Sequence, residues 1–107
     1  MTLSDSRQGI YLIITTEVDK MHASKLANLL LKEKLTPCIT FKNTESYFWW
    51  EGHINQLKEV QLMIKCKEEN VNNICKKISD WHSYELPEII YFPVRANKNF
   101  YQWVNSF

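Results

Sequence analysis

The sequence predicts an α+β fold: a ferredoxin-like βαββαβ sandwich with an antiparallel sheet, a long central hairpin and a short C-terminal helix. Three observations predict it. Apolar, β-branched runs alternate with stretches of helical periodicity in the order strand, helix, strand, strand, helix, strand. The aromatic run Tyr47-Phe48-Trp49-Trp50 meets Glu51-Gly52-His53 and then an alternating strand, which reads as one hairpin. Phe100, Trp103, Val104 and Phe107 fall at helical spacing near the end of the chain.

Each element has a local cause. Ile10 to Thr16 is apolar and β-branched, hence a buried strand. Asp19 offers an N-cap to a helix over Lys20 to Lys34, where Ala23, Leu26, Ala27, Leu30 and Leu31 form one stripe. Pro37 stops that helix, because it lacks a backbone donor and disfavours helical geometry at Thr36. Cys38 to Phe41 resumes strand character, Lys42-Asn43-Thr44 reads as a bulge or bend, and the aromatic run carries the strand to Trp50. After the turn, the return strand is placed at Glu59 to Lys67. The second helix runs from Glu69 to His82, with Val71, Ile74, Cys75, Ile78 and Trp81 inward. Glu88 to Val94 is the last strand, and Pro93 puts it at an edge or ends it there.

The chain has 107 residues, which fits one domain over 1–107, with residues 1–8 read as a disordered polar tail. A hydrophobic share of 45% with 23% charged residues marks a globular rather than a disordered chain. Net charge is only +1, which argues against a nucleic-acid footprint. No apolar run approaches the roughly 18 residues of a membrane span. The N-terminus lacks an apolar signal core, and three cysteines without a CxxC fit a reducing compartment, so the protein is expected in the cytoplasm. Two glycines, Gly9 and Gly52, build no phosphate-cradling loop.

Four adjacent aromatics cannot share one small core. In a strand, Tyr47 and Trp49 point one way and Phe48 and Trp50 the other. With both helices on one face of the sheet, the second face is expected to be uncovered, leaving Phe48, Trp50 and Met63 toward water. Exposed aromatic area of that size marks an interaction surface, and self-association with closed symmetry would satisfy every copy equally.

Several stretches, in this order and spacing, resemble the CutA family, small cytoplasmic proteins named for divalent-cation tolerance. They are Thr15-Thr16, Leu30-Leu31-Lys32-Glu33-Lys34-Leu35, Cys38-Ile39-Thr40, Ser46-Tyr47-Phe48-Trp49-Trp50-Glu51-Gly52, Glu59-Val60-Gln61-Leu62-Met63-Ile64-Lys65, Tyr84-Glu85-Leu86-Pro87-Glu88-Ile89 and Tyr101-Gln102-Trp103-Val104. The similarity runs from about Ile10 to Phe107. It implies a ferredoxin-like fold, a homotrimer in which each sheet continues into the next, and a link to metal tolerance and to copper or another divalent metal. It also implies an architecture similar to PII signalling trimers. Phe48, Trp49, Trp50, Met63 and Trp103 are then the expected trimer interface. The chain departs from the family's pattern at Lys42-Asn43, where a Pro-Gly pair is usual, and at His82-Ser83, where His-Pro is usual. It has Thr15-Thr16 where some relatives carry a cysteine, which weakens any carry-over of a multi-cysteine copper site.

Cys38 matches the family's most recurrent cysteine, and a thiolate suits Cu(I). Among apolar neighbours it reads more readily as a small core residue. Cys66 and Cys75 fall on apolar faces and read as core. Spacing among Cys38, Cys66, Cys75, His22, His53 and His82 forms no zinc pattern. Cys38 and His82 are the metal candidates; His82 also reads as a cation capping the second helix. His22 and His53 read as solvated. Glu59, Gln61, Met63 and Lys65 share one strand face. With Trp50, Tyr84 and Glu88 they outline a candidate cleft between subunits, either a ligand site or a salt-bridge network that fixes register.

Two functions follow. One is a trimeric protein of divalent metal tolerance, binding copper or another divalent ion. The other is a PII-like trimer that binds a small anionic metabolite or a protein partner in intersubunit clefts. No nucleophile–base pair, glycine elbow or carboxylate dyad is present, so the chain reads as a non-enzyme.

Overall fold

The computed structural model describes residues 9–107, and the tail expected over residues 1–8 lies outside that range. The elements are β1 Gly9–Glu17, α1 Lys20–Lys32, β2 Cys38–Trp50, β3 His53–Cys66, α2 Val71–Trp81, β4 Ile90–Arg95 and α3 Lys98–Asn105. A short 3-10 turn, Glu68–Asn70, leads into α2. The sheet order is β2-β3-β1-β4, and every neighbouring pair is antiparallel. This is the expected βαββαβ arrangement, with Pro93 on an edge strand where its missing N–H disturbs no inner ladder.

The register fixes the faces. Tyr11, Ile13, Thr15 and Glu17 of β1 pair with Cys66, Ile64, Leu62 and Val60 of β3 and look toward α1 and α2. The core forms there from Ile13, Leu62 and Ile64 against Ala23, Leu26 and Leu30 of α1 and Val71, Ile74 and Ile78 of α2. The second face, expected to be uncovered, is partly covered. Ile10 is buried on that face, and α3 lies across β1 and β3 with Val104 fully buried.

Three boundaries differ from expectation, each for a local reason. α1 ends at Lys32 rather than Lys34, because Lys34 turns left-handed at φ 57°. Lys34 N–H then donates to Leu31 O at 3.0 Å and Leu35 N–H to Leu30 O at 3.2 Å, with Leu30 and Leu35 packing in the core. That is a Schellman closure, completed before Pro37 is reached. The bulge expected at Lys42-Asn43-Thr44 is absent: pairing runs without a break from Cys38↔Lys65 to Trp50↔His53. β3 begins at His53 instead of Glu59, because Glu51 (φ 51°) and Gly52 (φ 79°) form a two-residue turn whose twist matches the flanking strands.

One consequence positions the rest. The last β1–β3 pair is Glu17↔Val60, so residues 44–59 form a two-stranded arm beyond the sheet. The arm accounts for the long axis of the 49 × 29 × 21 Å molecule.

Asp19 caps α1 as expected, accepting from His22 N–H at 2.8 Å. That bond, followed by the contact with the His22 side chain, holds its carboxyl below the ordinary value of 3.8. A carboxyl lowered in the folded state stabilises above its unfolded value, and loses that contribution as pH falls through the folded one. Melting curves of wild type and Asp19→Ala should therefore differ above pH 4 and converge toward pH 2; a constant difference would contradict the capping role.

Candidate functional site

Where β1 ends, the arm begins and the chain leaves α2, five side chains interlock. Glu17 is the last residue of β1 and faces inward; it is 1% exposed. Its carboxylate accepts from Val18 N–H at 3.0 Å, from Ser83 N–H at 3.1 Å and from the Ser83 hydroxyl. His82 terminates α2 through its backbone, donating N–H to Ile78 O at 2.9 Å. Its imidazole is fully buried and does not cap the helix as a cation, which corrects the sequence reading. Instead Nε2–H donates to Thr16 O at 2.5 Å, and Nδ1 accepts from Tyr84 N–H at 2.9 Å. That pair of bonds fixes the neutral tautomer. Glu17 Oε2 lies 3.7 Å from Nδ1.

This clasp directs Tyr84, whose hydroxyl donates to Glu59 Oε2 at 2.7 Å. Glu59 is only 7% exposed. Burial, the hydrogen bond to Glu59, and the charges of Glu59, Glu17 and Asp19 together hold the Tyr84 hydroxyl well above the ordinary tyrosine range.

Two clefts flank the interlock. One, of about 640 Å³, is lined by Glu59 with Val18, Asp19, Asn43, Thr44 and Lys58 among others. The second, of about 390 Å³, lies between the arm and the chain after α2 and is lined by Phe48, Trp50, Asn55, Leu57 and the run Ser83 to Leu86. The structure thus brings together Trp50, Tyr84 and Glu59 of the expected cleft. Lys65 stands elsewhere: six residues along β3, about 20 Å from Glu59 at strand rise. Its ammonium contacts the Thr40 hydroxyl and lies 3.8 Å from Cys38 Sγ. Gln61 and Met63 are half-buried between the two ends, and Glu88 is exposed just before β4.

The metal candidates are not brought together. Cys38 pairs with Lys65, which pairs with Leu12, whereas His82 binds the Thr16 carbonyl four residues further along β1. Both imidazole nitrogens of His82 are engaged, leaving no free lone pair for a metal. No group of three or more His, Cys, Asp and Glu side chains converges as a metal site among the described residues. Burial pushes the Cys66 thiol up to about 12 and raises that of Cys75 as well. Both sulfurs stay protonated near neutrality and serve the core. Native alkylation at pH 8, mapped by peptide mass, should leave Cys66 unmodified, since the thiolate is the reactive form; modification of Cys66 as fast as in urea would contradict this.

The expected interface residues occupy two surfaces. Phe48 and Trp50 line the smaller cleft, with Phe48 and Met63 half-buried. Trp49 is 71% exposed and Tyr47 68%, although both lie on the helix side of the sheet. They are bare because the arm runs past the sheet that the helices cover. Ile54, paired with Trp49, joins them at 65%. Trp103 is exposed on α3.

Sequence reasoning missed Glu17 and Ser83. Glu17 had a signal: it continues the inward parity of Ile13 and Thr15, so a carboxylate at that point is buried and needs donors. Ser83 stands where a proline is usual in the resembled family. Proline would supply neither the N–H nor the hydroxyl that Glu17 uses here.

The family described as CutA1 divalent ion tolerance protein matches residues 11–106. The divalent-cation tolerance protein CutA of Pyrococcus horikoshii is 32% identical over 94 residues, covering 87% of this chain and 92% of that protein. That of Yersinia pestis is 33% identical over 103 residues, 94% of this chain and 87% of its own. The solved periplasmic divalent cation tolerance protein CutA from Archaeoglobus fulgidus superposes with a TM-score of 0.86 at 30% identity, covering 89% of this chain and 94% of that one. With the strand order, the arm and the matched residues all in place, the chain belongs to the CutA1 divalent ion tolerance family.

Proposed function

We propose that this protein is a cytoplasmic homotrimer that acts in divalent metal tolerance as a binding protein rather than an enzyme, with copper as the first candidate ion. The observation that carries the assembly is the arm. An isolated two-stranded hairpin is marginal in water, and this one presents Tyr47, Trp49 and Ile54 exposed on one face. A further copy of the chain covers such a surface in every protomer at once under cyclic symmetry. No helix among the described residues is long and apolar enough to cross a membrane. Among the described residues one chain offers no convergent ligand set, so the metal site of this reading draws on more than one copy. Cys38, half-buried beside Lys65, is the soft donor to contribute.

A second reading is favoured by the clefts on either side of Glu59 and Tyr84: a PII-like signalling role in which a small molecule or a protein partner occupies a cleft completed by a neighbouring subunit. Titration of copper and of a metabolite panel into the purified protein, with mass followed by light scattering, separates the two. Stoichiometric copper on a trimer, lost in Cys38→Ser, supports metal handling through that residue. Copper stoichiometry unchanged in Cys38→Ser removes the site, and a trimer that ignores metals but is stabilised by a metabolite supports the signalling reading.

A further inference from the structure

We propose that His82 is a proton-operated catch: charging its ring exchanges the Tyr84 amide for the Glu17 carboxylate at Nδ1 and frees Tyr84 from the base of the arm. The inference is independent of the metal reading and of any ligand in the clefts.

The geometry gives Nδ1 two partners, one for each charge state of the ring. In the neutral ring Nδ1 is an acceptor and takes Tyr84 N–H at 2.9 Å, while Nε2–H is held by Thr16 O. Glu17 Oε2 stands 3.7 Å from Nδ1, just beyond a hydrogen bond. That oxygen accepts from Ser83 N–H, and its second lone pair can take another donor. A proton taken from solvent onto the Nδ1 lone pair turns the acceptor into a donor. An N–H at Nδ1 repels Tyr84 N–H and attracts the carboxylate, and the Nε2 bond to Thr16 O is kept. Because the His82 side chain is fully buried, the lone pair meets solvent only after Tyr84 N–H has left. The released state is therefore the one that takes up the proton, and falling pH favours release.

The charged groups around the ring are consistent with this exchange. Among the described residues Glu17 alone brings a carboxylate to ion-pairing distance of the ring. Asp19 at the start of α1 is bonded to His22, and Glu59 on the arm to the Tyr84 hydroxyl. On α2, Asp80 pairs with Lys76 and Lys77 with Glu33. Lys20 and Lys58 line the larger cleft with Asp19 and Glu59, and among the described residues neither pairs with Glu17. Glu85 lines the smaller cleft.

Release matters because of what Tyr84 holds. Its ring packs on His82 with centroids 4.9 Å apart, and its hydroxyl donates to Glu59 at 2.7 Å. The run Ser83 to Leu86 walls the smaller cleft together with Phe48 and Trp50. One proton at His82 loosens the tie between the segment after α2 and the arm, and opens that cleft.

Isotope-labelled wild-type protein is titrated by NMR from about pH 8 to about pH 4.5, the range in which imidazoles change charge. The His82 ring nitrogens should pass from the neutral pattern, with the proton on Nε2, to the charged one. At the same midpoint the protection factor of the Tyr84 amide should fall about tenfold or more, and the Trp50 indole resonance should shift. Glu17→Gln removes the carboxylate that receives the charged ring, so its His82 midpoint should fall by about one pH unit or more, a tenfold loss of proton affinity. A His82 ring that stays neutral until the chain unfolds overturns the proposal, as does one that titrates while the Tyr84 amide keeps its protection. An unchanged midpoint in Glu17→Gln overturns it too; should that variant not fold, the wild-type titration decides alone.

Discussion

Replacing Trp49 by alanine is expected to release single chains from the assembly. Trp49 is 71% exposed in one chain and sits on the arm opposite Ile54, with Tyr47 on the same face two residues away. Among the described residues no element of its own subunit covers it, since β1 stops at Glu17 and the arm begins where β1 ends. A tryptophan at the centre of an interface costs about 2 kcal/mol or more when truncated, which is roughly a 30-fold weaker association. Light scattering across a dilution series should show the variant dissociating at concentrations where wild type stays assembled. Its melting temperature should also depend more steeply on concentration, because folding and association are linked. Wild-type behaviour in both measurements would mean that the arm's aromatic face is not the contact.

Glu17→Ala is expected to have the largest effect among single-site changes at the clasp. The substitution removes the buried acceptor shared by Val18 N–H, Ser83 N–H and the Ser83 hydroxyl. The cost is on the order of 3 kcal/mol in urea denaturation, whereas Glu17→Gln, which keeps an acceptor oxygen, should lose less. The clasp also holds Tyr84 against Glu59, so the loss has a spectroscopic sign. In wild type one tyrosine should resist ionisation above the ordinary value of 10, because its hydroxyl is buried and bonded to a carboxylate. A raised tyrosine pKa in the folded state stabilises fully below pH 10. That contribution falls as pH rises, since the unfolded chain loses its proton first. In Glu17→Ala the resistant tyrosine should titrate with the others, and the alkaline loss of stability should become shallower. A resistant tyrosine that persists in Glu17→Ala would show that Tyr84 is held without the clasp.

The fold was legible in the sequence because its signals are local. Asp19 capping α1, the helical stripes at Leu26, Leu30, Ile74 and Ile78, and the aromatic run before Gly52 each state their structure within a few residues. The errors arose where longer-range order overrides local character. Lys42-Asn43-Thr44 looks like an interruption but pairs evenly, because β3 supplies a continuous partner on its inner edge. The strand character of His53 to Lys58 was hidden by polar residues, which are permitted there since the arm leaves the core behind. The site was legible only in part. The parity that joins Glu59 to Gln61 and Lys65 is a property of one strand and was read correctly. The bonds that join Glu17 to Ser83 and His82 to Thr16 span 66 residues, and they depend on where α2 ends against β1. Nothing in the sequence near His82 announces that its ring turns inward rather than toward the helix end.

Sedimentation equilibrium of the wild-type protein over a wide concentration range decides whether further copies cover the arm. The mass of three chains is expected down to the lowest concentration measured, because a two-stranded arm with exposed aromatics is marginal in water unless covered. A folded species with the mass of one chain at all concentrations, with Trp49 fluorescing as a water-exposed indole, would contradict it.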